Sequence, residues 1–238
     1  MSKTYLIYGV SKGLGKAMAS KLPSENDIIY GVSRTKPLFF DGNNKRWIEA
    51  DLSKPTQAVS QIADQIDSAK INYLIYNVGI WEKKAFIEEY DFNESSAEEI
   101  DNLINTNITS CILSIQSLLP NLRLSKNAKI ILIGSTWGLE NHQGKEVAFS
   151  ASKFALRGVV HALRESLRPD HIGISILNLG YLATEYEYET PIEQIIEEND
   201  RSLIPLTDVI AAIQFILSTS SASCVKEITM PAMNDENV

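Results

Sequence analysis

The chain has 238 residues, a formal net charge of −8 and two cysteines, and these properties exclude several classes of protein. Binding to nucleic-acid phosphates requires clustered Lys and Arg, which this acidic sequence lacks, so we expect no nucleic-acid partner. No apolar run approaches the roughly 18 residues of a membrane-spanning helix, and the amino terminus has no secretory cleavage site, so we expect no membrane partner. Two thiols form neither a disulfide framework nor a metal cluster. We therefore expect no metal site and a reduced, cytoplasmic setting.

Apolar segments of strand length alternate with amphipathic segments of helix length along the chain. We predict seven strands, over residues 5–8, 28–32, 47–50, 73–76, 129–133, 172–177 and 225–230. Between them we predict helices over residues 14–22, 56–68, 97–122, 149–167 and 208–218. Ser95 and Ser96 precede Glu98 and Glu99 at capping-box spacing, which marks the start of the long helix. The alternation predicts one α/β domain over residues 1–238, with a parallel sheet covered by helices on both faces.

A glycine-rich loop directly follows the first predicted strand, in the segment YGVSKGLGKAMASKL. Its glycines are spaced GxxxGxG at the start of a helix, where they permit a tight turn and bring helix N-terminal amides close to a pyrophosphate. An ordinary strand-to-helix turn is the alternative. The position between the first strand and the first helix favours the nucleotide site. The residues expected to bind the cofactor are Gly9, Ser11, Lys12, Gly13, Leu14 and Gly15.

The end of the second predicted strand indicates which nucleotide binds. An acidic residue there usually contacts a free ribose 2′-hydroxyl, but this chain has Ser33 and Arg34 in the segment GVSRTKP. Arg34 and Lys12 could hold a 2′-phosphate, although each alone could equally be a solvated cation. Together they favour NADP(H) over NAD(H).

These motifs resemble those of the short-chain dehydrogenase/reductase family over nearly the whole chain. The family's TGxxxGxG loop resembles residues 8–15, with Tyr8 in place of the Thr. Its adenine-binding Asp-Leu, its NNAG motif and its PG segment with a following Thr also have counterparts here. The resemblance implies a doubly wound parallel sheet of the Rossmann type and an oxidoreductase that uses a nicotinamide cofactor. The matching residues are Asp51, Leu52, Asn77, Gly79, Gly180 and Thr184.

The family's catalytic set is an Asn on the long helix, a Ser after the fifth strand and a Tyr-x-x-x-Lys on the next helix. Matching by motif places the Asn at Asn107, the Ser at Ser135 and the Lys at Lys153. The resemblance implies that Lys153 also binds the cofactor. The Tyr position is occupied by Phe149, four residues before Lys153 on the same helix face. In the family that Tyr donates a proton to the developing alkoxide, which a phenyl ring cannot do.

Phe149 leaves four interpretations open. The first is an oxidoreductase that acts on a small carbonyl or conjugated acceptor. Its proton would come from Ser135, a water on Lys153 or a tyrosine of the following loop, unless the substrate needs little acid help. The second is an inactive nucleotide-binding or partner subunit, the third an engineered Tyr-to-Phe variant of an ordinary ketoreductase, and the fourth an unrelated α/β nucleotide binder. Because Asn107, Ser135 and Lys153 are all in register, we favour the NADPH-dependent oxidoreductase. The loop tyrosines are Tyr181, Tyr186 and Tyr188.

The family places a mobile lid after Gly180, here over residues 181–206. Seven acids lie between Glu185 and Asp200. They could favour a neutral or cationic substrate, but a solvated helix face is the preferred interpretation.

Three residues just beyond Ser135, namely Trp137, Glu140 and His142, are expected to line the substrate pocket. His142 is a candidate acid, although a lone loop His is more often simply exposed. The resemblance also implies a homodimer or homotetramer that pairs through residues 97–122 and 149–167. The first of these segments has apolar residues around more than one face, as such pairing would need.

Overall fold

A computed structural model describes residues 2–237, in which seven strands form one parallel sheet. Their order across the sheet is β3-β2-β1-β4-β5-β6-β7. All seven predicted strands are confirmed, and the third begins at Lys45 rather than Trp47. The strands are β1 Thr4–Tyr8, β2 Ile28–Ser33, β3 Lys45–Glu49, β4 Tyr73–Tyr76, β5 Lys129–Ile133, β6 Gly173–Leu179 and β7 Glu227–Met230.

Helices connect these strands and cover both faces of the sheet. On one face α2, α4 and α6 pack over Leu6 and its neighbours, with Leu156 of α6 fully buried. On the other face α1 and α8 bury Met18 and Ile213 against Ile7. Because the central strands are covered on both sides, they are apolar almost throughout. The α-helices of the described residues are α1 Gly13–Lys21, α2 Pro55–Ile66, α3 Ala97–Ile104, α4 Ser110–Ser117, α5 Leu119–Arg123, α6 Val147–Ser166, α7 Ile192–Asn199 and α8 Leu206–Ser218.

The helix predicted over residues 97–122 is confirmed in its extent, but it is irregular, and the structure divides it into α3, α4 and α5. A π-helical turn, Asn105–Thr109, joins α3 to α4. Such a turn inserts one residue into the helical repeat and frequently lies at a functional site. Pro120 lies in the first turn of α5, where its missing N–H is tolerated, whereas a continuous helix would have needed that N–H. The predicted N-cap at Ser96 is confirmed, since its Oγ accepts from the Glu99 amide at 3.2 Å.

The segment after β6 contains α7, a helix that the sequence analysis did not predict. Two surface ion pairs connect this segment to α1. Lys16 Nζ lies 2.8 Å from Glu187 Oε2, and Lys21 Nζ lies 2.6 Å from Glu189 Oε1. At least part of this acidic segment is therefore paired with the helix that follows the glycine loop.

Other sequence expectations concern membranes, thiols and metals. Within residues 2–237, no helix has the length and apolar character required to cross a membrane. Cys111 is buried, Cys224 is exposed, and both are free thiols. The same residues include no group of three or more His, Cys, Asp or Glu side chains placed to hold a metal ion.

Candidate active site

The candidate site is a cleft at the carboxyl ends of the central strands. The chain order reverses between β1 and β4, so the loops that follow these strands diverge and leave a crevice between them. The cleft has a volume of about 370 Å³, and its walls include Gly79 after β4, Ser135 after β5 and Gly180 after β6. Ligands of doubly wound sheets bind at this type of position.

The glycine loop between β1 and α1 is packed too closely to accept larger residues. A Cβ on Gly9, whose φ is +78°, would lie 2.3 Å from the Asn77 carbonyl oxygen, and one on Gly15 would lie 1.8 Å from the Gly9 carbonyl oxygen. Lys12 is the N-cap of α1 and caps no amide with its side chain. The first N–H groups of α1 therefore remain available for a phosphate. The loop fits the pyrophosphate of a dinucleotide.

The residues predicted to select the nucleotide lie beside this loop at the end of β2. Arg34 and Lys12 are both exposed. The Ser33 hydroxyl instead donates to the Thr35 carbonyl oxygen at 2.7 Å and accepts from Trp47 Nε1 at 3.0 Å. Ser33 thus connects β2 to β3 through its side chain. Arg34 and Lys12 are the groups that remain available for a ribose 2′-phosphate.

Asp51 and Leu52 follow β3 at the same edge of the sheet. The Asp51 carboxylate accepts from the Ser53 hydroxyl at 2.8 Å and from the Ser53 amide at 3.2 Å. The Leu52 carbonyl accepts from the buried Ser110 hydroxyl on α4. These bonds hold the pair at the edge where the adenine end of a dinucleotide would lie.

Three of the four predicted catalytic positions meet in the cleft. Phe149 and Lys153 project from α6 and are buried, while Ser135 follows β5. Lys153 Nζ donates to the Ile133 carbonyl oxygen at 3.1 Å and lies 5.3 Å from the Phe149 ring centroid. Burial lowers the pKa of Lys153 from 10.5 to about 8, because desolvation disfavours the ammonium form. The Ser135 hydroxyl accepts from the Trp137 amide at 3.2 Å, a bond that leaves its own hydrogen unused.

Asn107 lies on the π-helical turn and does not line the cleft. Its side-chain nitrogen donates to the Ile80 carbonyl at 2.8 Å and to the Ser152 hydroxyl at 3.0 Å, and its oxygen accepts from the Ile80 amide at 2.8 Å. Both amide hydrogens are thus used within the protein. Asn107 is a positioning residue that braces the loop after β4 against α6.

Five aromatic side chains line the cleft, and we call them the aromatic wall: Trp81, Phe86, Trp137, Phe149 and Tyr181. Phe86 is central, with ring centroids 5.6 Å from Trp81, 5.6 Å from Trp137, 5.4 Å from Phe149 and 5.9 Å from Tyr181. The interplanar angles of these pairs lie between 64° and 89°, the edge-to-face geometry that aromatic quadrupoles favour. Sequence reasoning missed Trp81 and Phe86, because the loop that carries them has no periodic pattern.

A buried carboxyl group, Glu82, caps the helix that carries Phe149. Glu82 is 1% exposed. Its Oε1 accepts from the Ala148 amide at 2.8 Å and the Phe149 amide at 3.3 Å, and its Oε2 is buried without a protein partner. The positive end of the α6 dipole stabilises a negative charge at this position.

A second buried carboxyl group, Glu146, lies behind the aromatic wall. Its Oε1 accepts from the Phe86 amide at 2.9 Å, and its Oε2 accepts from Trp137 Nε1 at 2.6 Å. Phe86 has a φ of +64°, a conformation that costs a bulky residue free energy. The hydrogen bond to Glu146 helps to hold this backbone, so Glu146 orients two rings of the wall. Sequence reasoning missed both carboxyl groups, because no motif or periodic pattern marks either position as buried.

Of the three residues expected to line the pocket beyond Ser135, only Trp137 does so. Glu140 is exposed and pairs with Arg157 at 3.2 Å. His142 stacks on Trp137 at 6.1 Å, and its Nε2 lies 2.9 Å from the Ser150 hydroxyl. The candidate acid His142 is therefore separated from the cleft by the Trp137 ring.

Of the three loop tyrosines, only Tyr181 lines the cleft. Burial, together with smaller contributions from the nearby Glu146 and Asp235 carboxylates, raises the pKa of Tyr181 to about 12. The Tyr186 hydroxyl donates to Glu198 at 2.7 Å on the surface, and Tyr188 packs under Lys21 on α1. Thr184, exposed at the cleft rim, lies opposite Gly13 of the glycine loop.

The glycine loop between the first strand and the first helix of a seven-stranded parallel sheet is typical of dinucleotide-dependent oxidoreductases of the doubly wound class. The family model described as short chain dehydrogenase matches residues 3–194. The chain therefore belongs to the short-chain dehydrogenase/reductase family, as its motifs predicted.

Two curated relatives show how far the similarity extends. A 3-ketodihydrosphingosine reductase of Bacteroides thetaiotaomicron is 30% identical over 82% of this chain and 70% of its own length. An NADPH-dependent pterin aldehyde reductase of Arabidopsis thaliana is 27% identical over 77% of this chain and 76% of its own length.

Solved structures have the same fold. A metagenomic short-chain oxidoreductase in complex with NADP superposes with a TM-score of 0.76 at 21% identity, covering 98% of this chain and 99% of its own. A 4-hydroxyisoleucine dehydrogenase complexed with NADH superposes with a TM-score of 0.79 at 18% identity, covering 97% of this chain and 98% of its own. One fold thus accommodates either nucleotide, and the selection depends on local residues.

Proposed function

We propose that the protein is an NADPH-dependent oxidoreductase that transfers hydride to a small carbonyl or conjugated acceptor, with any proton supplied by a group other than residue 149. The proposal is carried by the meeting of Ser135, Lys153 and Phe149 in a cleft that adjoins the glycine loop. A reduced nicotinamide supplies the hydride when it is bound there. The backbone at Gly79 and Gly180 and the Thr184 hydroxyl would hold its nicotinamide end.

The preference for NADPH is supported by the charges around the glycine loop. Arg34 and Lys12 are exposed cations, and a guanidinium binds a phosphate in a bidentate manner. A relative named as NADPH-dependent and a structural neighbour that contains NADP are consistent with this preference.

Proton supply is assigned to Lys153 in preference to Tyr181. A general acid works best when its pKa lies near the working pH. The pKa of Lys153 is lowered to about 8 by burial, whereas that of Tyr181 is raised to about 12. Lys153 can therefore protonate a product through a water molecule, while Ser135 donates a hydrogen bond to the acceptor and Phe149 keeps bulk water out.

NADPH oxidation with a panel of ketones, enones and imines tests the proposal. The unmodified protein should turn over the conjugated acceptors, and Ser135→Ala or Lys153→Ala should reduce that activity. Phe149→Tyr should raise turnover of simple ketones by about 10²–10⁴, the value of one positioned acid, with little gain on activated acceptors. Ser166→Ala, at an exposed position of α6, is the control. Bound NADPH without turnover in any variant would instead support an inactive binding subunit.

We further propose a homodimer or homotetramer that pairs through α4 and α6. Ile112 on α4 is 43% exposed and Phe154 on α6 is 37% exposed, so both helices present apolar side chains to the surface. Light scattering at micromolar concentration should give a multiple of the 26.5 kDa chain mass. A mass equal to that of one chain would contradict pairing.

A further inference from the structure

We propose that the cleft selects a planar, delocalised cation and, given the proposed hydride transfer, that its acceptor is an iminium or an N-alkylated heteroaromatic ring. The inference rests on the proposed function and narrows it to one substrate class. It is drawn from the composition of the aromatic wall, from the carboxyl groups behind it and from the lack of an acid at residue 149.

The aromatic wall provides ring surfaces that attract cations. The faces of aromatic rings carry negative electrostatic potential, and the attraction strengthens when the cation is desolvated. One face of Phe149 already lies 5.3 Å from the Lys153 ammonium. Trp81 and Trp137, the ring type that binds cations best, lie on either side of Phe86 in the wall. A flat cation can therefore be held by the rings without a direct ionic contact.

The carboxyl groups behind the wall add negative potential. Both oxygens of Glu146 accept from N–H donors, the pattern that an ionised carboxyl forms, and one of these donors is the Trp137 indole. A hydrogen bond from the indole N–H to a carboxylate increases the electron density of the ring. Within residues 2–237, neither Glu82 nor Glu146 has a Lys, Arg or His partner within 4.0 Å. Their charge is therefore not cancelled by an adjacent side chain.

A third carboxyl group lies near the opposite side of the cleft. Asp235 Oδ2 is buried without a hydrogen-bond partner, close to Gly180 in the cleft wall. Its charge and that of Glu146 both act on Tyr181. Carboxyl groups thus flank the cleft at Glu82, Glu146 and Asp235.

The ammonium of Lys153 lines the cleft and would repel a bound cation, in opposition to the three carboxyl groups. Burial lowers the pKa of Lys153 to about 8, so its ammonium loses its proton as the pH rises through that value. Repulsion of a bound cation by Lys153 should weaken over the same range.

The reaction of a cationic acceptor does not need the missing acid. Reduction of a ketone places negative charge on oxygen, which both the carboxylates and the ring faces disfavour. In an iminium, the carbon accepts the hydride, the C=N π pair becomes a lone pair on nitrogen, and the nicotinamide that gave the hydride is oxidised. No proton is consumed. The positive charge passes from the substrate to the nicotinamide, so the net charge beside the wall stays constant.

Binding of a matched pair of unreactive probes tests the selectivity directly. We would titrate 1,3-dimethylbenzimidazolium, a planar delocalised cation too stable to accept hydride from NADPH, and its neutral near-isostere 1,3-dimethylindole into the NADPH-loaded protein by calorimetry. The cation should bind about tenfold more tightly or better, the range of a desolvated cation–π contact. Equal affinities, or no binding of the cation at millimolar concentration, would overturn the inference.

Variants locate the source of the selectivity. Trp81→Leu and Glu146→Gln should each lower the cation-to-neutral ratio by about threefold to tenfold, while affinity for the neutral probe changes less. Asp27→Asn is the control, because Asp27 is a buried carboxyl that also accepts backbone amides but lies at the opposite edge of the sheet. Affinity for the permanent cation should rise between pH 7 and pH 9, and Lys153→Met should remove this pH dependence. A ratio that neither Trp81→Leu nor Glu146→Gln changes would overturn the assignment to the wall.

Kinetics distinguish this inference from the proposed function. N-Methyl-3,4-dihydroisoquinolinium should oxidise NADPH with a kcat/KM about 10²-fold or more above that of 1-tetralone, a ketone of similar size that needs the absent acid. Faster reduction of the ketone would overturn the inference and leave the oxidoreductase intact. Selective binding of the cationic probe without oxidation of NADPH by any acceptor would support the cation site and overturn the proposed function.

Discussion

The aromatic wall lines the cleft and the glycine loop adjoins it, but different parts of the chain define them. The loop is fixed by main-chain contacts, since a Cβ at Gly9 or Gly15 would lie 2.3 Å or less from a carbonyl oxygen. The wall is built from side chains of several loops and one helix, and its Phe149 occupies the position that, by motif, is predicted to correspond to the family's Tyr. A backbone site tolerates few substitutions, whereas a side-chain site can change its chemistry while the fold persists.

The largest expected effect comes from disrupting the glycine loop, the region that main-chain contacts define. Gly15→Ala places a methyl group 1.8 Å from the Gly9 carbonyl oxygen, so the loop must move away from the conformation proposed to bind the pyrophosphate. We expect NADPH affinity to fall by at least about 100-fold, the equivalent of roughly 3 kcal/mol, when measured from the fluorescence of bound NADPH. Gly173→Ala is the matched control, because its Cβ would make only an ordinary contact of 3.5 Å with Lys129. Equal affinity in both variants would show that the loop is not the pyrophosphate site.

Nucleotide choice tests the side chains around the same loop. Arg34→Asp removes the cation proposed to meet the 2′-phosphate and supplies an acid for a free 2′-hydroxyl. The NADPH-to-NADH affinity ratio should fall by about tenfold or more, since hydrogen bonds to charged groups contribute about 1.5–3 kcal/mol. Lys126→Asp makes the same charge change at an exposed position at the opposite edge of the sheet. A ratio that falls equally in both variants would indicate a general charge effect.

Lys153 lines the cleft, and its burial should make the free energy of unfolding depend on pH. Its pKa is lowered from 10.5 to about 8, so between these values the unfolded state binds more protons than the folded state. Stability attributable to Lys153 therefore rises with pH through this window, and the full penalty applies below about pH 8. Lys153→Met should be more stable than the parent at pH 7 by about 1–3 kcal/mol.

Urea unfolding at several pH values measures that difference. The difference in the free energy of unfolding between Lys153→Met and the parent should shrink between pH 8 and 10.5, the pKa values of Lys153 in the folded and unfolded states. A difference that stays constant with pH would mean that packing, not the ammonium charge, determines it.

The smallest expected effect is at the surface contact between the lid and α1. Lys21→Met breaks the 2.6 Å ion pair with Glu189 and the contact of the ammonium with the Tyr188 ring at 4.8 Å. Because the side chains are partly exposed, the free energy of unfolding should fall by only about 0.5–1 kcal/mol. Arg168→Met is the control, since it breaks an exposed pair with Glu165 that has no aromatic partner. A loss that raised salt does not diminish would argue against an ionic contribution.

The strands and the glycine loop could be predicted from the sequence, because the residue patterns that indicate them are local. The strands are short apolar runs between turns, and the glycine spacing directly reflects the packing of the loop. The extent of the helix over residues 97–122 could be predicted but its irregularity could not, since the π-helical turn places Asn107 against Ile80 and Ser152, far away in the chain. The helix α7 was missed because its short apolar pattern lies within a run of acids.

The residues around the cleft could be predicted only at positions that belong to a sequence motif. Phe149, Ser135 and Lys153 were found because their spacing matches a family pattern. Trp81 and Phe86 meet Tyr181 only through the fold, because they come from separate loops. Nothing in the local sequence distinguishes buried Glu82 and Glu146 from the exposed acids of the chain. Such residues become visible only when hydrogen-bond partners and burial are known.

The distribution of tryptophan makes the aromatic wall and the region beside the glycine loop optically separable. The chain has three tryptophans, and Trp81 and Trp137 lie in the aromatic wall, one 54% and the other 3% exposed. Trp47 instead donates its indole N–H to Ser33, beside the proposed ribose site. A variant that keeps only Trp47 would emit light from the nucleotide end alone, and one that lacks only Trp47 would emit from the acceptor end alone. The order in which the two ligands enter can thus be followed within one molecule by its own fluorescence, without an attached dye.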